Sequence, residues 1–134
     1  MPGSFFDTNV IAYLVSNDTA KADRAERLTG AGGTISVQVL NELANVARRR
    51  FRLSWPETAR LLGLVRGLLA VAPVTIETHA KGMALAQRYQ LPIYDALIAA
   101  AAIISGCDLL WSEDFQDGML IDECLRVRNP FTGE

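Results

Sequence analysis

Four carboxylates in this chain stand where an acid needs a physical reason: Asp7, Glu42, Asp95 and Asp114. Asp7 ends the short apolar stretch that begins at Ser4 and is followed by Thr8-Asn9, so it reads as the carboxyl end of a strand. There it either caps a helix beginning near Asn9 or faces the crevice above a sheet, where it suits a cation. Asp95 lies in Tyr94–Ser105, a segment apolar on every face, and at helical spacing it shares a side with Ile98, Ala99 and Ala102. No further charge follows until Asp108. An ionised carboxylate in such surroundings is costly unless paired or metal-bound, although a first-turn acid also gains ~0.3 to 1 kcal/mol from the helix dipole. The apolar surroundings favour the first reading. Glu42, at the edge of an amphipathic stripe, reads by itself as solvated surface. Asp114 sits in an acidic loop where Glu113 or Asp117 could replace it.

Arrangement narrows what the single residues leave open. Two of the acids follow strands, and two lie on helices whose apolar faces must pack on the same sheet, so convergence is expected. Crowded carboxylates repel one another and take up protons unless a divalent cation neutralises them. Oxygen ligands without histidine suit Mg²⁺ or Mn²⁺ rather than zinc. The one histidine, His79, falls in a polar part of its helix and is expected to be exposed, which leaves no base for a nucleophilic triad.

The elements that must position these acids alternate between strand and helix. Strands are expected at Ser4–Asp7, Thr34–Val37, Val71–Val74, Cys107–Trp111 and Leu125–Arg128. Helices are expected at Val10–Val15, Ala20–Gly30, Val39–Phe51, from Ser54 to about Leu69, Glu77–Tyr89 and Tyr94–Ser105. Ser54 with Pro56 and Glu57 matches a capping box. The Ala20 helix is polar and should be peripheral; the Val39 helix carries a stripe of Val39, Leu40, Leu43, Val46, Ala47 and Phe51. This order predicts an α/β sandwich with a mainly parallel sheet and active residues at the carboxyl ends of its strands. At 134 residues, half of them hydrophobic and 21% charged, one domain spanning 1–134 is expected.

A net charge of −2 argues against binding nucleic acid through bulk positive charge, but Arg48, Arg49, Arg50 and Arg52 concentrate cations in one place. Cys107 and Cys124 have no zinc or redox spacing and are expected as buried free thiols. No Lys or Arg precedes Asp7, so a secretory signal is not expected, and Ala96–Ile104 is too short to span a bilayer. A cytoplasmic protein without membrane association is the expectation.

Taken together, Phe5-Phe6-Asp7-Thr8-Asn9-Val10, Asn41-Glu42-Leu43, Tyr94-Asp95-Ala96-Leu97-Ile98-Ala99-Ala100-Ala101 and Ser112-Glu113-Asp114-Phe115-Gln116-Asp117-Gly118 resemble, in order and spacing, the motifs of PIN-domain ribonucleases. The closing Asn129-Pro130-Phe131 is similar to the end of VapC-type toxins, so the likeness covers essentially the whole chain. It implies a three-layer α/β sandwich with about five strands and an acidic site of Asp7, Glu42, Asp95 and Asp114. Asn9 and Ser112 would support that site, with Asp117 a further candidate. It implies an endoribonuclease using Mg²⁺ or Mn²⁺, with Asp95 or Asp114 accepting a proton from the attacking water. It also implies an antitoxin partner, a toxin homodimer and RNA as substrate. Arg48 to Arg52 would then contact RNA phosphates, or else only complement a helix C-terminus. Leu61, Leu62, Leu64 and Val65 would offer a docking surface for the antitoxin, or else pack in the core. The alternatives are a housekeeping RNA-maturation nuclease, a PIN fold without catalysis, and a phosphorylated receiver-like module; the last is disfavoured because Lys81 is the final lysine.

Overall fold

The computed structural model describes residues 3–132. In chain order it contains β1 (Ser4–Phe6), α1 (Thr8–Ala12), a 3-10 turn (Tyr13–Val15), α2 (Thr19–Gly30), β2 (Thr34–Ser36), α3 (Val37–Arg49), α4 (Trp55–Leu68), β3 (Ala70–Ala72), α5 (Ile76–Tyr89), α6 (Ile93–Ile104), β4 (Leu109–Trp111), β5 (Leu120–Ile121) and β6 (Leu125–Arg128). The sheet has six strands in the order β3-β2-β1-β4-β6-β5. All pairs are parallel except β5 with β6. The α/β expectation holds, with the strand number corrected from about five to six. The extra strand, β5, is two residues long and lies between the acidic loop and the final strand, too short for any periodicity to reveal it.

The chain first moves outward from β1 through β2 to β3, then returns to place β4 on the other side of β1. Right-handed crossovers put the helices of these two excursions on opposite faces. Consistently, α1, α3 and α4 pack as one group, and α5 packs on α6 as another. The reversal makes the β1/β4 junction a topological switch point, the usual position of a ligand crevice in such sheets.

Local chemistry explains most boundaries. The capping box at Ser54 and Glu57 forms, and Thr75 with Thr78 makes a second one at the start of α5. Ser36 caps α3 by accepting from the Val39 amide at 3.3 Å, so this helix begins two residues earlier than its hydrophobic stripe suggests. Gly82 lets α5 approach α6, because a Cβ there would lie 2.6 Å from Leu97 Cδ2. Gly33, with φ +149°, has the ring of Phe6 where a side chain would start, 2.7 Å away.

The core joins Phe5, Phe6, Ile11, Ile35, Leu43, Leu85, Ile98 and Leu110. In α6 the middle is buried as expected, while Ile93, Tyr94 and Ile104 at its ends are exposed. In α4, Leu61 and Val65 enter the core, Leu62 is half-buried and Leu64 faces outward. His79 is exposed. Cys107 is buried, but Cys124 is exposed, which corrects the expectation of two buried thiols; it sits in the β5–β6 turn, where two short strands cannot cover it. Among the described residues, no helix is long and apolar enough to cross a membrane.

Candidate functional site

Asp7 follows β1 directly and serves both roles its position allows. Its Oδ1 accepts from the Thr8 amide at 2.7 Å, capping α1, and its Oδ2 accepts from the Ser112 hydroxyl at 2.7 Å. Ser112 follows β4, the neighbouring strand, and its hydroxyl oxygen also accepts from the Asp114 amide at 3.1 Å. Asn9 ties the two strand ends together: its amide nitrogen lies 3.5 Å from both Asp7 Oδ2 and Ser112 Oγ, and its oxygen accepts from the Glu113 amide at 3.3 Å. The switch-point crevice is thus laced shut at its base by hydrogen bonds between segments about a hundred residues apart in sequence.

Above that base three carboxylates meet. Asp7, Asp95 and Asp114 each offer an oxygen, and these oxygens all lie within 4.8 Å of one another. Asp95 arrives from the first turn of α6, and Asp114 from the loop after β4. Burial decreases from Asp7, 3% exposed, through half-buried Asp95 to exposed Asp114. The Asp7 carboxyl is pushed up to about 7, chiefly by burial and further by the charges of Asp114 and Asp95, against the lowering effect of the Ser112 and Thr8 hydrogen bonds. Asp95 is also raised, by burial first and then by Asp114 and Glu42. These donors fit a hard divalent cation: all are carboxylate oxygens, they converge without a pairing cation among the described residues, and the deepest one is disfavoured as a free anion.

Glu42 lines the same cavity without joining the three. Its Oε1 accepts from the Thr8 hydroxyl at 2.5 Å and its Oε2 from Gln38 Nε2 at 3.1 Å; the same Gln38 nitrogen reaches the Tyr94 carbonyl and so links α3 to the start of α6. The cavity, about 380 Å³, is lined by the carboxylates together with Ala12, Tyr13, Val46 and Phe51. Asp117 lies outside this lining, and its carboxylate accepts instead from the Asn129 amide at 2.8 Å, holding the chain's closing turn.

The arginine cluster divides. Arg48 donates from Nη1 to the Leu53 carbonyl at 2.7 Å and stacks over Trp55 with Cζ 4.2 Å from the ring centroid. Arg48 and Arg49 flank a separate shallow hollow, Arg50 lines the acid cavity, and Arg52 adopts φ 55° in the α3–α4 connection. Helical geometry alone turns successive side chains by about a quarter turn or more, so adjacent arginines need not share a surface.

Several residues that hold the site carry no chemistry in the sequence reading. Thr8 and Gln38 restrain Glu42, and Gln38 had a legible signal, because it stands one helical turn before Glu42. Tyr13 and Lys21 had none: Lys21 bridges to Glu113 at 3.5 Å across the fold and lies 4.9 Å from the Tyr13 ring, which meets Phe131 edge-on at 4.7 Å.

Comparison with solved structures gives the same fold in several proteins. A toxin–antitoxin complex from Klebsiella pneumoniae matches at 21% identity with a TM-score of 0.73, covering 96% of this chain and 98% of that one. A DNA-bound VapBC from Salmonella typhimurium matches at 20% identity and a TM-score of 0.67, covering 97% and 99%. A VapC toxin of Mycobacterium tuberculosis that cleaves the sarcin-ricin loop matches at 20% identity and a TM-score of 0.64, covering 83% and 89%. No curated protein sequence matches the chain. A family model for the PIN domain matches residues 4–116, which include all four acids first singled out, and the chain therefore belongs to the PIN domain family.

Proposed function

We propose that this chain is a divalent-metal-dependent endoribonuclease and the toxin of a toxin–antitoxin pair. The observation that carries the reading is the convergence of Asp7, Asp95 and Asp114, with their oxygens within 4.8 Å of one another and no basic residue paired to them among the described residues. Such a cluster raises its own electrostatic cost, and a cation removes that cost. Mg²⁺ or Mn²⁺, when bound, supplies a water of lowered pKa and positive charge beside the phosphodiester.

The chain's own residues do the rest. Asp7, Asp95 and Asp114 would hold the ion. Ser112, the Thr8 amide and Asn9 fix the Asp7 carboxylate, so the deepest ligand needs no reorganisation. Glu42, restrained by Thr8 and Gln38, adds negative charge at the cavity wall. Asp114, the most exposed of the three, is the group we assign to take up the proton of the attacking water at its free carboxylate oxygen. Asp117 supports the site only through the closing turn.

An antitoxin partner, a toxin homodimer and a cytoplasmic setting belong to the same reading; their support is the fold shared with toxin–antitoxin assemblies. Purified protein should cleave a structured RNA pool with Mg²⁺ or Mn²⁺ and stop with EDTA. Asp7→Asn and Asp95→Asn should each lose activity, and full activity in both would overturn the site. Growth arrest on expression without a neighbouring antitoxin separates a toxin from a housekeeping nuclease, and the mass in solution reads the homodimer.

A further inference from the structure

The four arginines that follow Glu42 differ in what is left for them to bind. Arg48 is engaged with the Leu53 carbonyl and the Trp55 ring. Arg50 closes α3 and lines the acid cavity together with Val46 and Phe51. Among the described residues it is the one cation in that lining, against Asp7, Glu42, Asp95, Glu113 and Asp114. Among the described residues its guanidinium makes no ion pair and no hydrogen bond, whereas Glu113 is paired by Lys21. The Phe51 ring lies beside it, with its centroid 5.6 Å from Cζ.

An exposed arginine that shares a cavity lining with five carboxylates yet pairs with none of them keeps its full fork of donors for a ligand. The ligand must be anionic, and a phosphodiester suits it: two non-bridging oxygens match the guanidinium plane. A substrate entering a cavity lined by acids also needs positive charge that the acids do not already neutralise. Phe51, half-buried against the core beside Arg50, still lines the cavity and so offers part of an aromatic ring of the kind on which an unpaired base stacks. A role limited to the helix dipole is served by Arg48 and Arg49 in the last turn.

We infer that Arg50, alone among the four arginines, is the phosphate-binding residue of the cavity, with Phe51 taking the face of the adjacent base. One nucleotide flanking the scissile bond then occupies the space between Arg50 and the three aspartates. This rests on the ribonuclease reading.

The test measures cleavage of a short single-stranded RNA, with Mn²⁺ affinity followed separately by calorimetric titration. Arg50→Ala should raise KM about 10-fold, the scale of a lost charged hydrogen bond. It should also flatten the salt dependence of kcat/KM by about one phosphate contact, and leave Mn²⁺ affinity within about twofold. Arg50→Lys should recover part of the KM. Phe51→Leu, which retains the apolar packing, should raise KM about 5-fold. Arg66→Ala, an exposed charge on α4 outside the cavity lining, serves as control and should change nothing. Wild-type cleavage with an unchanged KM in Arg50→Ala overturns the inference alone, and an unchanged KM in Phe51→Leu overturns its stacking half. A wild type that cleaves no RNA under any metal overturns the ribonuclease reading and this one with it.

Discussion

Asp7 and Asp122 are both held against the sheet by residues distant in sequence, and their surroundings are opposite. Asp122, in the β5–β6 turn, is met by Lys81, by Arg88 at 3.4 Å and by the Tyr89 hydroxyl, all from α5. Its pKa is lowered, first by the Lys81 hydrogen bond. Asp7 is met by Asp95 and Asp114, and burial is what chiefly raises it. At Asp122 the protein has supplied the countercharge and gains an anchored turn, including the left-handed backbone at Asp122 and Glu123. At Asp7 it has supplied hydrogen bonds that fix the geometry and, among the described residues, no countercharge. A carboxylate cluster left in that condition is arranged for something that binds.

That contrast can be broken most sharply at the level of activity. Asp7→Asn and Asp95→Asn should each lower RNA cleavage by roughly 1000-fold, the scale reached when preorganised electrostatic stabilisation is removed. Asp122→Asn should stay within about twofold in the same assay, and a comparable loss there would erase the distinction.

Stability against pH should run in opposite directions at the two sites. Asp7 rises from 3.8 unfolded to about 7 folded, so its contribution is full below about pH 4 and is lost as the pH climbs through 7. Metal-free Asp7→Asn should therefore be more stable than wild type at pH 8, by on the order of 2 to 4 kcal/mol, with the gain gone by pH 4. Urea melts at the two pH values read this, and added Mn²⁺ should close the gap at pH 8 by stabilising the wild type. No gain at pH 8 would mean that the cluster carries no electrostatic cost.

A smaller effect is expected at Ser112, whose buried hydroxyl donates to Asp7 and stands outside the cavity lining. Ser112→Ala should weaken Mn²⁺ binding about 10-fold, as measured by titration calorimetry. Smallest of all is the structural pair: Asp122→Asn, which keeps a residue tolerant of left-handed backbone, should cost about 1 kcal/mol at neutral pH. Since the Asp122 pKa is lowered on folding, this contribution exists above 3.8 and disappears as the pH falls through the folded value. Chemical denaturation at pH 7 and pH 3 tests both the size and the sign.

Much of the frame was legible because periodicity and caps are local. The stripe of α3, the capping box of α4 and the apolar segment of α6 each state their element within a dozen residues. The Asp7 and Ser112 strand ends could be placed at the carboxyl end of the sheet on the same grounds. Other features had no local mark. β5 is too short to show alternation, Cys124 is exposed because of the turn around it, and Asp117 is drawn to Asn129. The arginine cluster, contiguous in sequence, is divided among different surroundings by the end of one helix.

The sequence by itself determined which residues are acids, where the helices and five of the six strands fall, and that Asp95 enters an apolar helix without a charged neighbour. Each of these depends on covalent order and on interactions spanning one or two helical turns. Only the tertiary structure decided that Asp7, Asp95 and Asp114 share one point while Glu42 is drawn aside by Thr8 and Gln38. It also decided that Arg50 and not Arg48 enters the cavity. Electrostatic energy between carboxylates depends on their separation and burial, and neither quantity exists until the return from β3 brings β4 beside β1.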